Sequence, residues 1–265
     1  MDFGPRERTE YAAMCRRDRT GVGESGQATV EAALTLPLTL FLLLGTLQLF
    51  LLLQARALTE YAAFRAVRTG SVKHGDCEAM THAALGVLLP SFARTDSPAA
   101  LGVAFRNHRD NRYHPGRDSG HSGAIVWIAR ERPLGGSIPD NEEESFDDVN
   151  RYASVEDVVR LEARLVFWFP MRIPFANWVL GRMFLAHLGL REYSSTDPLI
   201  PVRTANWGGR APPSLDVAIR EELLARAGRH EYVFPLQASY AMRMMTPARR
   251  RYFERQNCPL TPEGL

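Results

Sequence analysis

Three histidines stand close together in one polar stretch of the sequence, and imidazole is a common ligand of transition metals. They are His108, His114 and His121. A metal site would need them to converge with a further ligand, and their spacings of six and seven residues match no common zinc pattern. We therefore favour solvated histidines over a metal site.

An acidic run forms a second group of candidate ligands, because carboxylate oxygens can hold calcium. It consists of Asp140, Glu142, Glu143, Glu144, Asp147 and Asp148. The run lacks the ligand order and the central glycine of an EF-hand loop. We favour a solvated acidic loop, so no metal site is predicted.

The 265-residue sequence contains no GxSxG, HExxH, CxxC or Walker pattern. Gly21, Gly23 and Gly26 match the spacing GxGxxG, but no strand is predicted before them, so they do not make a dinucleotide-binding fingerprint. The net charge is only +2, because 32 basic residues are nearly matched by 30 acidic ones. This balance gives little attraction to nucleic acid, so we expect neither a cofactor nor a nucleic-acid partner.

Glu31 is the carboxylate with the clearest physical reason for a function. It precedes an apolar run, residues 32–55, which has no charged side chain and exceeds the roughly 20 residues needed to cross a bilayer. A carboxylate one turn into such a helix is costly in lipid unless it is paired or reached by water. Alternatively, Glu31 faces the headgroups and gains about 0.3–1 kcal/mol from the helix dipole.

The apolar run predicts one transmembrane helix, and Pro37 within it predicts a bend. The helix is expected to continue to Gly70, with small residues at helical spacing along one side: Ala55, Thr59, Ala62, Ala66 and Gly70. Small residues allow helices to approach closely. The stripe could therefore pack on helices of other subunits or on the protein's own domain.

The rest of the chain predicts further helices and strands. Helices are predicted at 77–94 (ending near Pro90), 174–189 and 214–228, and strands at 124–131, 161–169, 199–206 and 232–242. Pro235 suits an edge strand. A long first helix followed by interspersed strands and helices indicates an α+β fold with a mainly antiparallel sheet, packed on the outer half of the first helix.

The residues around Gly26 resemble a known processing site. Gly26 is followed by the sequence QATVE, so that Glu31 stands fifth after the glycine, and the apolar run with Pro37 follows. This order resembles the prepilin peptidase site of type IV pilins. More narrowly, residues 21–73 resemble the N-terminal segment of TadE-like pseudopilins, which are minor subunits of Tad (tight adherence) pili.

The resemblance implies a specific organisation of the chain. Residues 1–26 would be a cytoplasmic leader, 27–73 a transmembrane and spine helix, and 74–265 a periplasmic α+β domain with a pilin-like layout. Prepilin peptidase would cut between Gly26 and Gln27. The new α-amino group of Gln27, in the same or a neighbouring subunit, would pair with Glu31 and set subunit register during assembly.

The resemblance also implies a function in assembly and not in catalysis. The protein would be a minor pilin, held in the bacterial inner membrane by one helix, with other Tad minor pilins and the inner-membrane pilus platform as partners. Incorporation into an extracellular pilus stays open. The alternative is an uncleaved single-pass inner-membrane protein whose periplasmic domain binds a ligand or partner, or acts as an enzyme without a recognisable motif.

The same interpretation predicts which cysteines remain in the mature protein. Cys15 would be removed with the leader, which leaves Cys77 and Cys258 in an oxidising compartment. They could form a disulfide that ties the C-terminus to the start of the second helix. The alternative is two free buried thiols.

Overall fold

The computed structural model describes residues 24–138, 146, 159–188 and 215–265, with side chains from Ala28 onward. The predicted strand at 199–206 and the whole acidic run lie outside the described residues. The chain divides into two compact units, 1–46 and 47–265. The division into leader, spine helix and periplasmic domain stays a prediction.

The first helix, α1, runs from Glu24 to Val72 and contains Pro37. By length and composition it could cross a membrane, with a mean hydropathy of 2.2 over its most apolar window. Only 6% of that window is buried. In the first unit, most of the large apolar side chains of this helix are exposed, including those of Leu34, Leu36, Leu38, Leu40 and Leu42.

The second unit is built around a three-stranded antiparallel sheet. Its strands are β3 (Val126–Arg132), β4 (Arg160–Pro170) and β5 (Val233–Arg243), in the order β3-β4-β5, and two short strands, β1 (Arg112–Tyr113) and β2 (Gly123–Ala124), pair separately. Phe167 on the central strand β4 lies opposite Val126 on one side and Leu236 on the other. The α+β prediction is therefore confirmed, and β5 lies at the edge of this three-stranded sheet.

Four further helices accompany the sheet in the described part of the chain. They are α2 (Cys77–Phe92), α3 (Pro98–His108), α4 (Ala176–His187) and α5 (Val217–Gly228). The predicted end of α2 near Pro90 is wrong by about half a turn, because the backbone N–H of Ala93 still donates to Leu89 O at 2.7 Å. Helix α3 was not predicted, although Ser97 caps it and Pro98 occupies its first turn.

The small-residue stripe of α1 packs within its own domain. Ala55, Thr59, Ala62 and Ala66 are each at most 1% exposed. Gly70 is also buried, and a Cβ atom there would lie 2.7 Å from Met80 Sδ and 2.8 Å from Leu161 Cδ2. This confirms the second of the two alternatives for the stripe, and it shows that α1 lies so close to α2 that a Cβ atom at position 70 would displace the side chains of Met80 and Leu161.

Replacing Gly70 with valine is expected to lower the free energy of unfolding of the domain by about 1–3 kcal/mol, because Met80 and Leu161 must move. Denaturant unfolding followed by tryptophan fluorescence measures this. Gly86→Ala in α2 is the matched control, since a Cβ atom there meets nothing within 4 Å. The control should be stabilised by up to about 1 kcal/mol, and equal effects at the two sites would contradict the close packing at Gly70.

Candidate assembly site

The residues singled out for processing and assembly all lie on α1. Gly26 and Gln27 belong to its first turn, and Glu31 follows Gln27 by four residues. Positions four apart on a helix are neighbours on one face. The helix therefore brings the backbone of Gln27 and the position of Glu31 together, and it places Pro37 inside the apolar run.

The apolar run satisfies its own polar side chains. Thr35 Oγ1 donates to the backbone oxygen of Glu31 at 2.8 Å, Thr39 Oγ1 to Leu36 O at 2.9 Å, and Thr46 Oγ1 to Leu43 O at 2.9 Å. Such bonds satisfy the hydroxyl donors within the helix, because lipid chains provide no acceptors. A carboxylate only accepts hydrogen bonds, so Glu31 cannot donate to a backbone oxygen in this way. Its side chain is exposed.

The structure joins Cys77 and Cys258 in a disulfide, with the Cα atoms 5.3 Å apart. Cys77 is the first residue of α2, and Cys258 belongs to a C-terminal segment that runs beside β3. The N–H of Cys258 donates to Ile128 O at 3.0 Å, and Ile128 N donates to Thr261 Oγ1 at 2.9 Å. The C-terminal segment thus covers an edge of the sheet and is held there covalently.

The interpretation of the histidines as solvated is wrong for two of the three. His108 is 4% exposed and His121 is 6% exposed, whereas His114 is partly exposed. His108 Nε2 lies 3.0 Å from Asp118 Oδ1, and its Nδ1 lies 2.8 Å from Ala104 O. His108 is buried because α3, which the sequence analysis did not predict, carries it into the interior beside Asp118. His121 lies in the loop before β2, with its Nδ1 2.8 Å from Asp118 O.

The His108–Asp118 contact shifts both groups toward their charged forms. The hydrogen bond with Asp118 is the largest cause that raises the pKa of His108, and burial opposes it. Burial also opposes ionisation of Asp118, but hydrogen bonds from His108 and the backbone N–H of His114 hold the pKa of this carboxyl below its usual value. The pair is a structural clamp between α3 and the loop that precedes β2.

Sequence reasoning missed two buried arginines, Arg130 and Arg226. Arg130 is 2% exposed and donates to the carbonyl oxygens of Gly75 at 2.7 Å and Tyr252 at 2.8 Å, with Phe253 under its guanidinium at 4.0 Å. Burial lowers its pKa to about 10. Arg130 lies on the same face of β3 as the buried Val126 and Ile128, and this alternation could have indicated its burial from the sequence.

Arg226 is fully buried at the end of α5. Its Nε donates to Glu222 Oε1 at 2.7 Å, its Nη2 donates to Ala124 O at 2.7 Å, and its guanidinium carbon lies 4.8 Å from the Trp168 ring centroid. Among the described residues, no group of three or more His, Cys, Asp or Glu side chains is placed to hold a metal ion. The buried charges of the domain therefore join elements to one another.

Comparison with known proteins identifies the N-terminal segment. Residues 26–68 match the family model described as TadE-like protein. The resemblance read from the sequence is thereby confirmed over the segment that contains Gly26, Glu31, Pro37 and the buried small-residue stripe. A search of curated proteins finds no significant match to this chain, and a search of solved structures finds none either.

Removing the disulfide with Cys77→Ser and Cys258→Ser should destabilise the domain by about 2–5 kcal/mol. Denaturant unfolding measures the loss, and non-reducing peptide mapping should recover the linked peptides from the native protein. Cys15→Ser is the control, because that cysteine lies in the predicted leader. Equal stabilities of the native protein and the double variant would contradict a structural role of the bond.

Asp118→Asn should lower the free energy of unfolding by about 2 kcal/mol near pH 5.5 and by less at pH 9. The raised pKa of His108 means that its stabilisation is complete below about pH 6.5 and is lost as pH rises through the folded-state pKa. The lowered pKa of Asp118 means that its contribution is lost only in acid.

The matched control is Asp110→Asn, which removes the partner of His114 from a pair that is 40% and 46% exposed. An exposed pair contributes about 0–1 kcal/mol. Denaturant unfolding at the two pH values compares the variants. A loss for Asp118→Asn that is the same at both pH values would contradict the charged clamp.

Proposed function

From the TadE-like match over residues 26–68, we propose that this protein is a minor pilin, or pseudopilin, of a Tad-type pilus. The TadE-like segment associates the chain with Tad pili and gives it a membrane-anchoring helix. The finer proposal is that prepilin peptidase cuts after Gly26 and that the processed protein assembles with other Tad minor pilins on the inner-membrane pilus platform.

The observation that carries the proposal is the placement of Glu31. It stands four residues after Gln27 on the same helix, immediately before the charge-free run. A carboxylate at that place is costly in lipid without a partner. Cleavage creates a positively charged α-amino group on Gln27. It can pair with the negatively charged Glu31, one helical turn away in the same subunit or on a neighbouring subunit.

The proposed topology places residues beyond about 56 on the periplasmic side of the bacterial inner membrane. The joined cysteines support this location, because disulfides persist in oxidising compartments. We also propose that the domain has no catalytic activity. A cleft of about 540 Å³ beside α4 and α5 supports this, because the described residues that line it include Arg182 and His230 but no carboxylate, serine or cysteine.

The N-terminus of the protein from native membranes, determined by mass spectrometry, tests the processing step. We expect Gln27 as the first residue in cells that contain prepilin peptidase and an intact leader in cells that lack it. Gly26→Leu should block cleavage. A leader that stays intact in both strains would favour the alternative, an uncleaved single-pass protein with a ligand-binding or partner-binding domain.

Glu31→Gln separates assembly from processing. The variant should still be cut after Gly26, but the yield of sheared pili should fall because the contact with the Gln27 amine is lost. Glu60→Gln is the matched control on the same helix, since Glu60 is exposed and its ion pair among the described residues is with exposed Arg56, at 3.5 Å. Wild-type piliation by the Glu31 variant would contradict the assembly role.

A further inference from the structure

The outward face of α4 is apolar. Residues at helical spacing form this face: Trp178, Val179, Arg182, Met183 and Ala186. Trp178 is 41% exposed and Met183 is 54% exposed, whereas the opposite face, with Gly181 and Leu185, is buried. A helix on the surface of a water-soluble domain normally carries polar residues outward, so water is an unsuitable neighbour for this face.

Phe175 extends the same face beyond the N-terminus of α4. It is 51% exposed, and its ring stacks on Trp178 with the centroids 6.5 Å apart. Its backbone has a φ of 67°, in the left-handed region that non-glycine residues rarely adopt. The fold therefore holds a strained backbone at a residue whose large apolar ring faces outward.

The α4 segment itself carries charge of one sign. Residues 171–188 contain Arg172 and Arg182 but no aspartate or glutamate. The guanidinium carbon of Arg182 lies 4.8 Å from the Trp178 ring centroid, and its buried Nε has no acceptor among the described residues. Arginine beside tryptophan on an apolar face is typical of helices that lie in the headgroup region of a bilayer.

A hydrogen bond ties the segment that leads into α4 to the apolar run of α1. The N–H of Ile173 donates to Gln48 Oε1 at 3.1 Å, and Gln48 is 1% exposed. Gln48 stands eight residues before Arg56, the first charged residue after the run, which corresponds to about 12 Å along the helix. Its neighbours Leu49 and Phe50 are exposed.

We propose that the outward face of α4, together with Phe175, lies in the headgroup region of the membrane that α1 spans, with the guanidinium of Arg182 directed to lipid phosphates. The contact with Gln48 holds the segment beside the outer part of the apolar run, about 12 Å before Arg56. The apolar face and the cationic Arg182 match an anionic bilayer surface. This inference rests on the membrane span of α1 but not on pilus assembly.

Tryptophan fluorescence of the full-length protein tests the proposal. The protein is placed, one copy per particle, in nanodiscs of phosphatidylethanolamine and phosphatidylglycerol that carry bromine near the upper end of the acyl chains. Of the other three tryptophans, Trp127 and Trp168 are buried at 4% and 0% exposure, and Trp207 lies outside the described residues. The difference between the native protein and Trp178→Phe isolates Trp178, and we expect the variant to lose a component quenched by the brominated lipid.

The control is Trp178→Phe/Leu101→Trp, which moves the exposed indole to α3, where Leu101 is 39% exposed. This indole should be quenched by aqueous acrylamide and not by brominated lipid. Quenching of Trp178 by acrylamide alone would overturn the proposal, because the face would then be in water. Protection of Trp178 from both quenchers would also overturn it, because protein would then cover the face.

Prepilin processing does not enter this measurement. A quenched Trp178 in a protein that keeps its leader would support the membrane contact and count against the minor-pilin proposal. Normal processing with an unquenched Trp178 would support the minor-pilin proposal and contradict the membrane contact. The two proposals therefore fail separately.

Discussion

The close packing of α1 on its own domain is the constraint on which the rest of the second unit depends. The small side chains of alanine and threonine, and the absence of one at glycine, allow the helix backbone to approach α2 and the sheet. At Gly70 the side chains of Met80 and Leu161 fill the space that a methyl group would take. Phe64 then packs edge-on against Tyr240 of β5 at 5.2 Å. The helix that carries the TadE-like segment is thus a core element of the domain and not only an anchor.

A second set of interactions holds the chain ends of the domain together around β3. Arg130 receives its hydrogen-bond acceptors from the turn after α1 and from the C-terminal segment, and the Cys77–Cys258 disulfide joins the same two regions. A buried guanidinium is costly unless its donors are satisfied. Backbone carbonyls provide this here, so the charge fixes the C-terminal segment along an edge that would otherwise be open to strand pairing.

The sequence predicted the features that depend on local pattern. The segment 161–169, with apolar residues at every second position from Leu161 to Phe169, forms β4, and the amphipathic repeat near 214–228 forms α5. The apolar run and the Gly26–Glu31 spacing identified the TadE-like segment without any knowledge of the domain. These signals lie within a few turns or one strand, where side-chain period and backbone geometry are directly linked.

The features that were missed depend on contacts between distant parts of the chain. The polarity of the sequence around His108 indicates exposure, but Asp118 and the carbonyl of Ala104 satisfy both ring nitrogens, and burial then becomes affordable. Arg226 likewise looks like an exposed residue of an amphipathic helix until Trp168 and Ala124 O are placed beside it. Pairing across the fold decides burial for such residues, and no local pattern encodes it.

The membrane contact inferred for α4 bears on how a subunit of this kind could move. When a protein held only by α1 leaves the bilayer, one helix is removed from lipid. When the α4 face also rests in lipid, Phe175, Trp178 and Met183 become exposed to water as well. At about 25 cal/mol per Å² of apolar surface this adds a few kcal/mol to extraction. A neighbouring subunit that covered the same face would offset that cost, so one surface would favour retention in lipid and, once covered, departure into an assembly.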